Sequence, residues 1–163
     1  MDIEQRSQIA ENNLSRKLDW VGRYDTRIAF IAGVSIAMLG VLANACANIT
    51  CWNWILIITF GLASLFLLIS LIFIYFGQHP KTLSPNTSLI FFGTIAKMSY
   101  SDFKTKFIAA TSDEYFEDLL CQTHINSEIL QEKFRNLKNA LTMIALSVLP
   151  WTISIYLSKI FIK

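Results

Sequence analysis

Residues 29–45 read AFIAGVSIAMLGVLANA and residues 54–76 read WILIITFGLASLFLLISLIFIYF, and these two runs decide the fold class. From Ile28 to Pro80 the chain contains no Asp, Glu, Lys or Arg. A membrane-spanning helix needs about 20 apolar residues, so this stretch is long enough for two crossings. A short polar patch from Asn48 to Asn53 separates the runs. We therefore predict a two-helix transmembrane hairpin over residues 28–78.

A third uncharged stretch, Asn139 to Ser158, is also long enough to cross a membrane. It contains Pro150 and several hydroxyl side chains, and a buried or interfacial helix is the alternative. The first apolar run is not predicted to be a secretory signal peptide, because a charged segment precedes it. Only 16% of the residues are charged, against roughly 25% in soluble domains. The composition therefore predicts an all-α membrane protein and makes a water-soluble enzyme a poor description.

The chain divides into four predicted segments: an amphipathic helix at 1–27, the transmembrane hairpin at 28–78, a helical sensing or assembly region at 79–138, and a third membrane helix with its tail at 139–163. Twelve of the 14 basic residues flank the hairpin on one side. Because positively charged loops stay in the cytoplasm, residues 1–27 and 79–138 are predicted to be cytoplasmic. Each of these two segments has equal numbers of acidic and basic residues, so bulk charge does not predict a nucleic-acid clamp.

The sequence Arg23-Tyr24-Asp25-Thr26-Arg27 marks the predicted membrane edge. Asp25 can pair with Arg23 or Arg27 while the long arginine stems reach toward the interface. One interpretation is a simple membrane anchor, and the other is an ion pair that couples to a gate. The helix that precedes it either lies on the membrane surface or packs within a cytoplasmic oligomer, and its neutral charge balance favours packing.

Small side chains recur along one face of the first crossing at Gly33, Ala37 and Gly40, and Asn44 follows at the same spacing. Small residues let helices approach closely, and an amide within lipid needs a polar partner or water. This face either contacts the second helix of the hairpin or borders a pore built from several chains, because one hairpin cannot enclose a channel.

Two capping boxes predict helix starts in the region that follows the hairpin. Ser99 stands three positions before Asp102, and Thr111 stands three positions before Glu114. No Gly or Pro occurs between Asp113 and Leu149, so the second of these helices is predicted to run unbroken into the third membrane segment. Its predicted apolar seam consists of Phe116, Leu120, Leu130, Phe134, Leu137 and Leu141.

Few residues point to catalytic or metal chemistry. The sequence has no metal-ligand spacing, no nucleophile motif and no glycine-rich phosphate loop, so we predict no enzyme activity, no cofactor and no metal. Cys46 and Cys51 flank the predicted hairpin tip and could pair in an oxidising compartment, whereas Cys121 is expected to stay reduced.

Three longer stretches together are similar to one family of membrane proteins. They are WVGRYDTRIAFIAG at 20–33, NTSLIFFGTIAKMSYSDF at 86–103 and DEYFEDLLCQTHINSEILQEKFRNLKNAL at 113–141. These stretches resemble the Pycsar-effector family, whose members are the membrane-damaging arm of bacterial anti-phage defence and act with a cyclase or nucleotidyltransferase. The resemblance implies a homo-oligomeric pore in the bacterial inner membrane that a cyclic nucleotide or oligonucleotide controls. Opening would disrupt the membrane and cause growth arrest or death of the infected cell.

The resemblance also suggests residues that bind the nucleotide or hold the cytoplasmic helices together. A phosphate-bearing ligand needs cationic groups, which adds Lys97 to the matching positions. Two other functions fit the same segments: a non-conducting anchor or scaffold for a partner nucleotidyltransferase, and a holin-like pore without ligand control. The candidate ligand-binding residues are Phe91, Phe92, Gly93, Lys97, Gln122, Asn126 and Lys133.

Overall fold

The computed structural model describes residues 1–79 and 87–160, and every regular element within them is an α-helix. Residues 80–86, at the start of the predicted sensing region, and the last three residues of the predicted tail lie outside the described part. Three of the helices, the first, second and fifth, are long and apolar enough to cross a membrane. These observations confirm the predicted all-α membrane fold. The helices are α1 (Ile3–Ala47), α2 (Trp54–Gln78), α3 (Phe92–Ile95), α4 (Tyr100–Ala109) and α5 (Ser112–Ile160).

The chain forms two compact units, and both α1 and α5 contribute to each of them. We call the first the polar unit, which consists of Met1–Arg23 and Pro80–Glu132. The second is the apolar unit, which consists of Tyr24–His79 and Lys133–Lys163.

Buried positions in the apolar unit follow steps of three, four or seven residues along each helix. This mean period of about 3.5 residues is that of helices packed as in left-handed coiled coils. The apolar unit is therefore a three-helix bundle with a narrow buried seam on each helix. The buried seam residues are Tyr24, Ile28, Ile31, Ser35, Leu42 and Ala45 on α1, Leu56, Phe60, Ala63, Leu67, Ser70, Ile74 and Gly77 on α2, and Leu137, Ala140, Ser147, Pro150, Ser154 and Ser158 on α5.

Polar groups inside this bundle are bonded mostly to helix backbone. The indole N–H of Trp151 on α5 donates to the carbonyl oxygen of Met38 on α1 at 3.1 Å. The hydroxyls of Ser35 and Ser154 donate to carbonyls four residues earlier in their own helices, at 3.1 and 2.8 Å. Within lipid no water can satisfy such groups, so these bonds allow small polar side chains to stay at close helix contacts.

In the polar unit, α4 and α5 begin where the capping boxes predicted. The Ser99 hydroxyl accepts the backbone N–H of Asp102 at 3.1 Å. At the start of α5, the Thr111 hydroxyl accepts the N–H of Glu114 at 3.3 Å, and the N–H of Thr111 donates to the Glu114 carboxylate at 2.8 Å. The 49-residue helix α5 then continues unbroken to Ile160, as predicted. At 1.5 Å per residue it is about 74 Å long.

The buried face of α5 differs from the predicted seam. Leu120 and Leu141 are exposed, while the neighbouring positions Leu119, Gln122 and Ala140 are buried. The seam was right at Leu137, which is buried, and at Phe116 and Phe134, which pack against buried clusters, and it was wrong at Leu120 and Leu141.

Candidate functional site

An ion pair joins α1 to α5 in the apolar unit. The ammonium of Lys133 lies 3.2 Å from the carboxylate of Asp25. The Lys133 side chain is only 16% exposed, and that of Asp25 is 48% exposed. This pair replaces the predicted pairing of Asp25 with Arg23 or Arg27. The guanidinium of Arg23 instead lies over the Trp20 ring, 5.3 Å from its centroid.

Tyr24 packs at the centre of the same cluster and is fully buried. The Lys133 ammonium is 4.7 Å from the centroid of its ring, and Phe134 meets the ring edge to face at 5.8 Å. On α2, a methyl group at Gly77 would collide with the Tyr24 hydroxyl. That hydroxyl has no hydrogen-bond partner among the residues that the structure describes. We call Tyr24, Asp25, Gly77, Lys133 and Phe134 the Tyr24 cluster.

The Tyr24 cluster fixes the three helices of the bundle at one level. Gly77 permits α2 to approach the Tyr24 hydroxyl, and the ion pair with the ring contact sets α5 against α1. A partly buried charge that loses its partner is strongly unfavourable, so a shift of α5 along α1 carries an electrostatic penalty. This is the arrangement that a coupling ion pair requires.

Ser88 is the centre of a hydrogen-bond network in the polar unit. Its hydroxyl donates to the Asp118 carboxylate at 3.0 Å and accepts the Gln122 side-chain N–H at 3.1 Å. The same oxygen accepts the backbone N–H of Phe91 at 3.0 Å, and the Asp118 carboxylate also accepts the N–H of Leu89 at 2.8 Å. The network ties the segment before α3 to the first turns of α5.

Two predicted ligand residues are engaged by this part of the fold. Gln122 is 3% exposed, and its side chain bonds to Ser88. The Asn126 amide donates to the backbone carbonyl of Gln122 at 2.8 Å. The Gln122 side chain therefore joins two segments of the polar unit, whereas the Asn126 bond stays within α5. Lys133 lies in the apolar unit with Asp25 and is not grouped with the other predicted ligand residues.

The Phe-Phe-Gly element and Lys97 lie at the surface of the polar unit. Phe92 is 70% exposed, and its ring lies 4.8 Å from the half-buried ring of Phe91. A methyl group at Gly93 would contact the Phe91 ring closely, so glycine is needed for this ring position. Lys97 is exposed. Of the predicted ligand residues, Phe92 and Lys97 thus offer side chains to an external ligand.

A broad groove opens on the polar unit, with a volume of about 1750 Å³. It is bordered by the start of α1, the end of α4 and the start of α5, and one cationic side chain, that of Lys106, lines it among the described residues. We call it the acidic groove, because seven carboxylates line it against one ammonium. These belong to Asp2, Glu4, Glu11, Asp113, Glu114, Glu117 and Asp118.

Hydrogen bonds keep two of these carboxylates in place. The backbone N–H and hydroxyl of Thr111 hold the pKa of Glu114 below its usual range. The Tyr115 hydroxyl donates to Glu11 at 2.8 Å, and burial followed by this bond raises the pKa of Tyr115. Seven carboxylates against one ammonium make the groove unfavourable for phosphate groups.

The small-residue face of α1 points away from the rest of its chain. Gly33, Ala37, Gly40 and Asn44 are all exposed, and an added methyl group at either glycine meets nothing within 4 Å. At 3.6 residues per turn these positions lie on the side of α1 opposite its buried seam. Contact within a single hairpin, one of the two predicted roles, is made by the seam instead.

Sequence reasoning missed the residues that organise both sites. Ser88 and Asp118 lie 30 positions apart, and Tyr24 and Gly77 meet only after the hairpin folds. One signal was present: a serine directly before a short apolar run is typical of a hydroxyl that accepts the next backbone N–H groups. At the hairpin tip, Cys46 and Cys51 are both exposed free thiols.

Comparison with protein families gives one finding. The profile of the Pycsar effector protein domain matches residues 9–158. This match covers most of the chain and confirms the resemblance seen in the sequence. Comparisons with curated proteins and with solved structures give no significant match.

Proposed function

The chain belongs to the Pycsar effector family and is a membrane effector of nucleotide-signalled anti-phage defence, and from this premise we propose that it forms a homo-oligomeric pore controlled by a nucleotide. The proposed action is conduction across the bacterial inner membrane, which causes growth arrest or death of the infected cell. No catalytic step belongs to this function, and the partner nucleotidyltransferase or cyclase supplies the signal.

The observation that carries the proposal is the exposed small-residue face of α1. A three-helix bundle with a filled seam leaves no conduit through one chain, so conduction requires several copies. The face with Gly33, Gly40 and Asn44 is the part of α1 where backbones of neighbouring copies can approach, with an amide to bind water. It carries no charge, so selectivity would not come from a ring of charged side chains.

The proposed nucleotide contact uses exposed groups of the polar unit. Phe92 offers a ring for base stacking and Lys97 a charge for phosphate. The acidic groove disfavours a phosphate-bearing ligand, which supports a site on the surface around α3 and α4. In the proposed topology, the polar unit is cytoplasmic because 12 of the 14 basic residues flank the hairpin on that side.

Ion flux from liposomes that contain the purified protein tests the proposal. We expect flux that changes when cyclic mononucleotides or cyclic oligonucleotides are added. Asn44→Leu is expected to reduce conductance while the oligomer remains intact. Gly61→Leu on α2 is a matched control, because Gly61 is also exposed with open space around it.

Three results would contradict the proposal. No flux with any nucleotide would favour the non-conducting anchor or scaffold. Flux that no nucleotide alters would favour the holin-like pore. Equal effects of Asn44→Leu and Gly61→Leu would remove the small-residue face from the conduction path.

A further inference from the structure

Helix α4 carries large apolar side chains that stay exposed within the described part of the chain. None of its ten residues is buried. Tyr100 is 80% exposed and Ile108 is 72% exposed, while Phe103 and Phe107 form a ring pair at 5.7 Å. Contiguous exposed apolar patches of this kind mark interaction surfaces.

The segment around α4 is also positively charged. Lys97, Lys104 and Lys106 are all exposed. The one carboxylate in the segment, that of Asp102, accepts a hydrogen bond from the cap hydroxyl of Ser99 at 2.7 Å. An amphipathic surface with cationic and aromatic side chains fits an anionic partner with some apolar area.

The acidic groove has the complementary properties. Its seven carboxylates surround an apolar floor that includes Ile3, Leu89 and Ile90. Small-molecule pockets measure roughly 300–1000 Å³, and the groove of about 1750 Å³ is larger than such a pocket. Its volume and charge suit a basic helix better than they suit a nucleotide.

We propose that α4 of one copy docks into the acidic groove of a neighbouring copy. The inference rests on the homo-oligomer of the proposed function and adds its interface. The last turn of α4 already borders the groove of its own chain, through Lys106 and Phe107. Lys97, Tyr100 and Lys104 do not line that groove and are therefore the groups offered to the neighbour.

Helix and groove are different patches of the same unit, so the contact is head to tail. Head-to-tail contacts that repeat with a closing rotation produce rings, whereas a self-complementary patch stops at a dimer. A ring is the symmetry that a central conduit needs. The carboxylates of the neighbour and the phosphates of a nucleotide would thus compete for the ammonium groups of Lys97 and Lys104.

Charge reversal in the full-length protein tests the contact. Lys97→Glu with Lys104→Glu, and separately Glu4→Lys with Glu117→Lys, are each expected to weaken assembly by about tenfold or more. The four changes together are expected to restore assembly to within about threefold of the original, because the charges are exchanged. Light scattering of detergent-solubilised protein across a dilution series measures the oligomer. Asp19→Lys with Glu128→Lys is the matched control, since both carboxylates are outside the groove.

Cross-linking provides a second measurement that does not depend on charge. In a Cys46→Ser and Cys51→Ser background, Cys121 is the remaining thiol and lines the groove. Adding Tyr100→Cys and a short bismaleimide is expected to give dimers and larger ladders on denaturing gels. Asp19→Cys in the same background is expected to give none.

The outcomes separate this inference from the proposed function. Oligomers that persist through both charge reversals place the interface elsewhere, which overturns the inference and leaves the homo-oligomer standing. Losses that the fourfold exchange does not restore also overturn it. A further outcome is that Lys97→Glu with Lys104→Glu weakens assembly while Glu4→Lys with Glu117→Lys does not. If the original protein then binds anionic vesicles and the lysine variant does not, α4 docks on lipid, which overturns the inference. A protein that is monomeric throughout overturns the inference and the proposed pore together.

Discussion

The ammonium of Lys133 is shared between two consecutive residues of α1, with the Asp25 carboxylate at 3.2 Å and the Tyr24 ring centroid at 4.7 Å. The lysine thus has both an ionic and an aromatic partner on the same helix turn. Its burial makes it dependent on them, since a cation held away from water is costly unless it is paired.

Breaking this pair one side at a time is expected to cost more than removing both charges. Lys133→Met and Asp25→Asn each leave a partly buried charge, whereas the double variant leaves none. We expect a coupling free energy of about 1–2 kcal/mol, moderated by the half-exposed carboxylate. Thermal unfolding in detergent of the original and the three variants measures it.

Arg27→Met combined with Asp25→Asn serves as the control for that cycle. The sequence alone offers Arg23 and Arg27 as partners of Asp25, but in the structure Asp25 pairs with Lys133. The two changes are therefore expected to be additive. Strong coupling to Arg27 and none to Lys133 would refute the described geometry.

Gly77→Ala is expected to destabilise the apolar unit by about 1–3 kcal/mol, as overpacking does. The added methyl group would collide with the hydroxyl of Tyr24. Tyr24→Phe removes that hydroxyl and is expected to rescue much of the loss. Melting temperatures in detergent would show it, with Gly61→Ala as a near-neutral control because its surroundings are open. Failure of Tyr24→Phe to rescue would mean that the contacts with Asn136 Cβ and Ile28 Cδ1, each at 3.3 Å, set the limit.

Ser88→Ala is expected to loosen the segment before α3, because one hydroxyl serves Asp118, Gln122 and backbone amides. Leaving buried partners unpaired costs about 1–3 kcal/mol. Hydrogen exchange of the Phe91 amide is therefore expected to accelerate by about tenfold or more. Ser101→Ala, at an exposed position of α4, is the control. If the Phe91 amide exchanges equally fast in both variants, the Ser88 network does not hold this segment in place.

The start of α5 is expected to respond to acid. Bonds from Thr111 to the ionised Glu114 carboxylate lower the pKa of Glu114. A carboxyl with a lowered pKa in the folded protein contributes stability above its ordinary pKa, and that contribution is lost as the pH falls through the lowered value. The Thr111 amide resonance is expected to shift upon that acid titration, as followed by NMR. Glu114→Gln is expected to remove this pH dependence, and persistence of the shift would assign it to another group.

Features that depend on a single continuous stretch of the chain were predictable from the sequence. The hairpin follows from the missing charges between Ile28 and Pro80, and the helix starts follow from Ser99 and Thr111 with their acidic partners three residues later. The unbroken α5 follows from the absence of Gly and Pro before Leu149. Each of these depends on neighbours within a few positions.

Long-range partners were not predictable in the same way. Asp25 has two arginines within two positions, yet pairs with Lys133 at a separation of 108 residues. Gln122 resembles a ligand residue in sequence but bonds Ser88, 34 residues away. The α5 seam was misplaced onto Leu120 and Leu141 because hydrophobicity alone does not distinguish an exposed side of a helix from a packed side.

The seam of the apolar unit has a consequence for mutational tolerance. At many positions the buried side chains are smaller than those that face outward. Ala63, Ser70 and Ala140 are buried, while Phe30 and Leu149 face outward. Outward positions only have to remain apolar, so many residue types satisfy them. Those seam positions that hold a small residue must also keep it small, because the helices are already in contact there. The outward side of the apolar unit can thus change identity freely over evolutionary time, whereas its helix packing depends on a few small residues.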